Sequence, residues 1–200
     1  MRIAVLVSGS GSNLQALIDA RAAGRITGEL ALVISNRPGV RALSRASEAG
    51  IEALVLDHRD FTSREDFDTS LSELLTSRRI DLVVLAGFMR LLGAAFVQRW
   101  AGRLVNIHPS LLPAFPGAHA LRDALAAGAR ETGVTMHFVD AGTDTGPIIA
   151  QEAVAIRLGD DEASLASRVH AVEHRLYPQV VEALVRGDVR LENGRILRSS

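Results

Sequence analysis

Apolar residues recur along the first half of the chain in short runs, unbroken at 3–7, 30–34, 53–56 and 82–86 and interrupted by one residue, Asn106, at 104–107, each rich in Val, Ile and Leu. Runs of that length with no polar alternate position predict strands covered on both faces. Between them, near 12–23, 39–49, 63–77 and 91–99, the pattern changes to the three-and-four spacing of amphipathic helices. Strand and helix in that alternation predict an α/β chain, with a Rossmann-like, mostly parallel twisted sheet and helices on both faces. Two later stretches, 133–139 and 148–156, read as further strands joined by AGTDTGP, a segment dense in turn formers. They predict antiparallel additions in the C-terminal half.

From about 162 to 186, Leu165, Val169, Val172, Leu176, Val180 and Leu184 form one apolar stripe and predict a long helix. Pro178 lacks an N–H and is expected to disturb the helical ladder near residue 174. The tail VRLENGRIL alternates about Asn193-Gly194, the signature of a hairpin. No repeat, low-complexity tract or long linker divides the sequence, so 1–200 reads as a single domain.

Composition removes chemistries without selecting one. Among 200 residues there is no cysteine, and all 22 basic residues are arginine. A thiolate nucleophile, a disulfide, a cysteine-bound metal and a lysine Schiff base are therefore excluded. So is a P-loop, which needs its lysine. A formal net charge of −1, with no run of basic residues, argues against a nucleic-acid partner. The apolar run at 3–7 is too short for a secretory core, and none approaches the length of a membrane span. The expectation is a cytoplasmic protein with no membrane partner.

Ser8-Gly9-Ser10-Gly11-Ser12-Asn13-Leu14 joins the first strand to the first helix. Glycines there allow close backbone approach, and a helix start offers free N–H groups to an anion. Ser12 and Asn13 are candidate caps. Gly9-x-Gly11 fits the opening of a dinucleotide fingerprint, but Leu14 stands in place of its third glycine. The second strand ends Ser35-Asn36-Arg37-Pro38, without the acidic residue that would hold a ribose. A single phosphate fits better than a dinucleotide.

LVNIHP, at 104–109, is the most informative stretch. Asn106 and His108 are two apart, so on a strand they face the same side. Pro109 ends the pairing and leaves both at the carboxyl end, where such sheets hold ligands. An imidazole supplies a proton or a polarising hydrogen bond, and an amide can donate to a developing oxyanion. Asp144, in DAGTDTGP, is either a turn former or a carboxylate that orients His108 and favours its charged form. His170, Glu173 and His174 spell H-x-x-E-H, a zinc pattern on a helix. The motif is short and nothing else in the chain supports a metal, so none is expected. Gly87-Phe88-Met89-Arg90-Leu91-Leu92 reads either as packing or as a slot for a flat heterocycle.

Taken together, SGSGSNLQALIDA, SNRPGVRAL, FTSREDFD, VVLAGFMRLL, AGRLVNIHPSLLPAFPGAHA, GVTMHFVDAGTDTGPIIAQ and VEHRLYP resemble the phosphoribosylglycinamide formyltransferase family over most of the chain. NIHPSLLP followed by DTGPI resembles formyltetrahydrofolate-using transferases generally, and the N-terminal SGSGSNLQ resembles the glycinamide ribonucleotide branch. The resemblance implies an enzyme of purine biosynthesis that moves the formyl group of 10-formyltetrahydrofolate, its co-substrate, to the amino group of 5'-phosphoribosylglycinamide. It implies a ribonucleotide-binding N-terminal half and a folate-binding C-terminal half, with Gly11, Ser12 and Asn13 on the phosphate and Glu173 on the glycinamide end. It implies folate contacts from Arg64, Met89, Arg90, Leu91, Leu92, Asn106 and Asp140, and a catalytic trio of Asn106, His108 and Asp144. His170 has no assigned role, and Ala114 stands where some relatives carry lysine. Monomer and homodimer both occur in the family.

Three rivals differ in what they require. A methionyl-tRNA formyltransferase has a further C-terminal domain and a basic surface, and a formyltetrahydrofolate deformylase has an N-terminal regulatory domain. A nicotinamide-dependent oxidoreductase would bind NADH or NADPH, and a zinc hydrolase would carry stoichiometric metal.

Overall fold

Ile3, Val5 and Val7 of the first strand pack into one apolar cluster, and Ala4 and Leu6 into another, because successive side chains leave a strand on opposite sides. The sheet thus separates two cores, and its central strands have no solvent face. The computed structural model describes residues 1–199. Seven strands form the sheet: β1 (Arg2–Val7), β2 (Glu29–Ser35), β3 (Glu52–Val55), β4 (Leu82–Leu85), β5 (Leu104–His108), β6 (Glu131–Phe138) and β7 (Ile148–Ala155). Their order is β3-β2-β1-β4-β5-β6-β7. The first five run parallel, while β5–β6 and β6–β7 pair antiparallel.

Helices α1 (Ser12–Ala22), α2 (Arg41–Glu48) and α6 (Glu162–Arg186) cover one face, with α5 (Ala120–Ala126) packed beside them. Helices α3 (Arg64–Ser77) and α4 (Ala94–Arg99) cover the other. The chain builds outward from β1 to β3, then crosses back to place β4 on the other side of β1. Strand order reverses between β1 and β4, which opens a crevice at their carboxyl ends. No helix among the described residues is long and apolar enough to cross a membrane.

Several elements depart from the apolar pattern. Helix α4 begins at Ala94 rather than near 91, because Gly93 is its cap and residues 88–92 form an irregular segment that bends at Arg90. Helix α5 and a single 3-10 turn at His58–Asp60 lack a legible stripe, being seven and three residues long. Helix α6 continues through Pro178 to a left-handed Gly187. Pro178 is buried there, in a row with Leu176, Tyr177, Val180 and Val181. The packing of that face outweighs one missing backbone bond. Asn193 and Gly194 turn the hairpin of β8 (Val189–Glu192) and β9 (Arg195–Arg198), both with positive φ as a type I′ turn requires.

Candidate active site

The turn after β1 is held rigidly from below. Gly11 is the residue that caps α1, and it lies in the left-handed region at φ 71°. A Cβ there would stand 2.7 Å from the Ala42 Cβ, so α2 can approach only a glycine. Ala42 N donates to Gly9 O at 3.2 Å, and Arg45 Nε donates to Ser10 O at 2.9 Å. Ser12 and Asn13 are therefore not the caps expected of them, since the helix starts one residue earlier and has no side-chain cap. The N–H groups of its first turn remain for an anion. Asn13 instead donates through Nδ2 to Glu173 Oε2 at 3.0 Å, tying α1 to α6. Glu173 is buried, and burial pushes its carboxyl above the usual range against the opposing pull of Asn13, His170 and His108.

Asn106, His108 and Asp144, 38 residues apart at the extremes, meet at the end of β5. Asp144 Oδ2 lies 3.5 Å from His108 Nδ1, and Asp144 Oδ1 lies 3.7 Å from Nε2 of a second imidazole, His137. The carboxylate is fixed by the main-chain N–H of Gly117, which donates to it at 2.8 Å. Asp144 itself sits at φ 56°, within a loop that folds back so tightly that a Cβ on Gly146 would fall 1.9 Å from Phe138 O. His108 Nε2 is 2.9 Å from Phe115 O. A carbonyl only accepts, so Nε2 carries a hydrogen and Nδ1 is the nitrogen facing Asp144.

His137 is the residue the sequence reading passed over. It stands directly opposite Asn106 in the β5–β6 register. Its Nδ1 is 2.9 Å from Phe138 O and so carries a hydrogen, which leaves Nε2 as an acceptor 3.2 Å from Asn106 Nδ2. Burial holds its pKa below the ordinary histidine value, outweighing the field of Asp144. A neutral His137 therefore takes one N–H of the Asn106 amide and leaves the other pointing elsewhere. The signal was present in the strand itself. Thr135 and His137 alternate with Val134, Met136 and Phe138, the same two-residue spacing that singled out Asn106 and His108.

Beside this group lies a cavity of ≈ 120 Å³ that contains Arg90, Leu92, Asn106, His137, Asp140 and Asp144 in its wall. Leu91 also borders it, although the side chain is 64% exposed overall. Asp140 is fixed by Gly142 N and Thr145 Oγ1, which donate to its Oδ1 at 3.1 and 2.7 Å. Met89 is 62% exposed and is not part of the wall. Arg64 is exposed at the start of α3, away from the cavity. A larger hollow of ≈ 700 Å³ lies between α3 and α4, and none of Asn106, His108 and Asp144 is in its wall.

On α6, the rings of His170 and His174 lie parallel with centroids 6.1 Å apart, while Glu173 turns inward to Asn13. His170 is exposed, its Nε2 3.9 Å from Glu173. Among the described residues no group of three or more His, Asp or Glu is arranged to hold a metal ion.

The chain is similar to several characterised proteins along nearly all of its length. It is 56% identical over 188 residues to the trifunctional purine biosynthetic protein adenosine-3 of Drosophila melanogaster, covering 93% of this chain but 14% of that protein. It spans only that fraction because the fly protein is far longer. Against the phosphoribosylglycinamide formyltransferase of Escherichia coli K12 it is 46% identical over 191 residues, covering 96% of this chain and 90% of that one. The crystal structure of glycinamide ribonucleotide transformylase 1 from Symbiobacterium toebii superposes with a TM-score of 0.96 at 46% identity, covering 100% of this chain and 94% of that one. The pattern of the formyl transferase family matches residues 1–181, from the strand before the glycine turn into the last turns of the helix carrying Glu173, and the chain belongs to that family.

Proposed function

We propose that this chain is a phosphoribosylglycinamide formyltransferase, moving the formyl group of 10-formyltetrahydrofolate to the amino group of 5'-phosphoribosylglycinamide in purine biosynthesis. The observation that carries the reading is the convergence of Asn106, His108 and Asp144 between an anion-ready helix start and a cavity at one end of the sheet. The phosphate of the ribonucleotide binds the N–H groups of Gly11, Ser12 and Asn13, and Glu173 meets the glycinamide end. The folate enters beside Arg90, Leu91, Leu92 and Asp140, with Met89 and Arg64 outside the cavity wall and available to the distal part of the molecule. The phosphate turn thus lies in the N-terminal half, and the folate lies between the turn after β4 and the loop after β6, within one domain.

The substrate amine attacks the formyl carbon on N10, a C–N bond forms, and the carbonyl oxygen takes the electron pair. The free N–H of Asn106 donates to that oxyanion, and an imidazolium at His108, balanced by Asp144, lowers its energy. On collapse the bond from carbon to N10 breaks, the amine nitrogen loses a proton and N10 gains one. Neutral His137 holds the Asn106 amide in its donating orientation. No thiolate, lysine or metal takes part in this route. The protein so read is a cytoplasmic enzyme, monomeric or homodimeric, with two small-molecule substrates.

The test is consumption of 10-formyltetrahydrofolate followed with and without the ribonucleotide. We expect loss of the formyl donor only when the amine is present, with formylated ribonucleotide formed one for one. Release of formate without the amine would replace transfer by hydrolysis, and tight binding of NADH or NADPH would replace it by redox chemistry.

A further inference from the structure

A line of polar groups crosses the carboxyl ends of the parallel strands in sheet order. After β3, His58 Nδ1 lies 3.0 Å from the Asn36 main-chain oxygen and donates to it. After β2, the Asn36 side chain accepts through Oδ1 from Ser8 Oγ at 2.6 Å. After β1, that same hydroxyl oxygen accepts from Met89 N at 2.8 Å. Met89 follows β4, so Ser8 bridges the two strands between which the sheet order reverses. Ser8 is 5% exposed and Asn36 1% exposed, so water does not replace these bonds.

The two turns joined by Ser8 are anchored unequally. The glycine turn has the bonds from Ala42 and Arg45 and the contact of Gly11 on α2. The main chain of residues 87–92 makes, among the described residues, one hydrogen bond, from Met89 N to Ser8 Oγ. Its side chains at 89 and 91 are largely exposed, while Phe88 and Leu92 pack on the α3–α4 core and the Arg90 guanidinium lies 4.5 Å over the Phe67 ring, so side chains hold the segment from one face and Ser8 alone bonds its main chain.

We infer that Ser8 is a positioning residue: its hydroxyl, oriented by Asn36, holds the 87–92 main chain in register beside the phosphate turn and thereby sets affinity for the folate. The kinetic part rests on the formyl-transfer reading above, and the anchoring part does not.

Both are tested with Ser8→Ala, Asn36→Ala, the double variant, and Ser72→Ala. The last removes the acceptor of the buried Trp100 Nε1, which bonds to neither turn, as a control for general loss of stability. In Ser8→Ala, amide exchange at 87–92 accelerates about tenfold while exchange at 9–14 stays at the wild-type rate. KM for 10-formyltetrahydrofolate rises about tenfold, with kcat and the ribonucleotide KM within about twofold of wild type. Asn36→Ala behaves the same way, and the double variant is no worse than either single one, since all three break one chain of bonds. Ser72→Ala lowers Tm and leaves KM unchanged. Unaltered exchange at 87–92 in Ser8→Ala overturns the inference, whatever reaction the protein carries out. Accelerated exchange with an unchanged folate KM, an equal rise in the ribonucleotide KM, or an equal shift in Ser72→Ala overturns the role in folate affinity. A wild-type protein that transfers no formyl group removes the functional reading, and the exchange result still decides the anchoring.

Discussion

The turn after β1 offers main-chain N–H groups, whereas the ends of β5 and β6 with the loop that follows offer two imidazoles, an amide and a carboxylate. On the proposed reaction the first meets a phosphate whose charge does not change, and fixed dipoles on a braced helix start suffice for that. On the same proposal the second meets a charge that appears only in the tetrahedral intermediate. Side chains whose protons are assigned by their neighbours suit this task, as with His137 neutral against Phe138 O and His108 facing a carboxylate. Damage to the two regions should therefore be distinguishable: binding is lost at one and turnover at the other.

The largest effect expected is at His108. His108→Ala lowers kcat by about a hundred- to ten-thousand-fold, with an unaltered circular dichroism spectrum and ribonucleotide affinity near wild type. Turnover within a few-fold of wild type would remove the imidazole from the reaction and erase the distinction. Next comes Gly11→Ala, which forces a Cβ against Ala42 and a side chain into the left-handed region. Denaturant unfolding should register a loss of about 2–4 kcal/mol. Steady-state kinetics should give a raised ribonucleotide KM with kcat largely retained. A fall in kcat at unchanged KM would contradict a turn devoted to binding.

The smallest effect is a pH dependence at Glu173, where the two regions meet. Its pKa is raised on folding by burial, so the folded protein holds this proton more tightly than the unfolded chain does. Its contribution to stability is full below the unfolded value near 4.5 and is lost as pH rises through the higher folded value. Glu173→Gln keeps an acceptor for Asn13 without the charge. It should raise Tm at neutral and alkaline pH, with the advantage vanishing below about pH 4.5. A constant difference across that range would mean that Asn13 and His170, rather than desolvation, dominate the carboxyl's environment.

Most of the sheet could be read from the runs at 3–7, 30–34, 82–86 and 104–107, because strands buried on both faces have no polar alternation to confuse the pattern. Asn106 and His108 were legible for the complementary reason, as polar groups sharing one face of such a run. Asp144 acquired a role only through the resemblance, since the turn reading and the carboxylate reading of DAGTDTGP are equal until β6 and β7 fold back. Phe115 O and Gly117 N, which fix His108 and Asp144, were not legible at all: a main-chain group has no residue type to announce it. The cap of α1 was misplaced by one residue because Ser12 and Asn13 are ordinary capping residues, while the steric demand on Gly11 comes from Ala42, thirty-one positions away. Met89 belongs to the folate turn through the resemblance, and its side chain is exposed outside the wall that Arg90 and Leu92 help to form.

The separation of the interior into two cores has an optical consequence. The chain contains one tryptophan and one tyrosine. Trp100 is buried in the α3–α4 layer, stacked on Phe96 beneath the Arg103 guanidinium. Tyr177 is buried in the α1–α6 layer, its hydroxyl donating to Leu85 O at 2.5 Å. Indole emission and phenol absorbance therefore report on opposite sides of the same sheet. Loosening confined to one layer can be seen in the unlabelled protein, and coincident transitions by both chromophores mean that the sheet transmits unfolding from one face to the other.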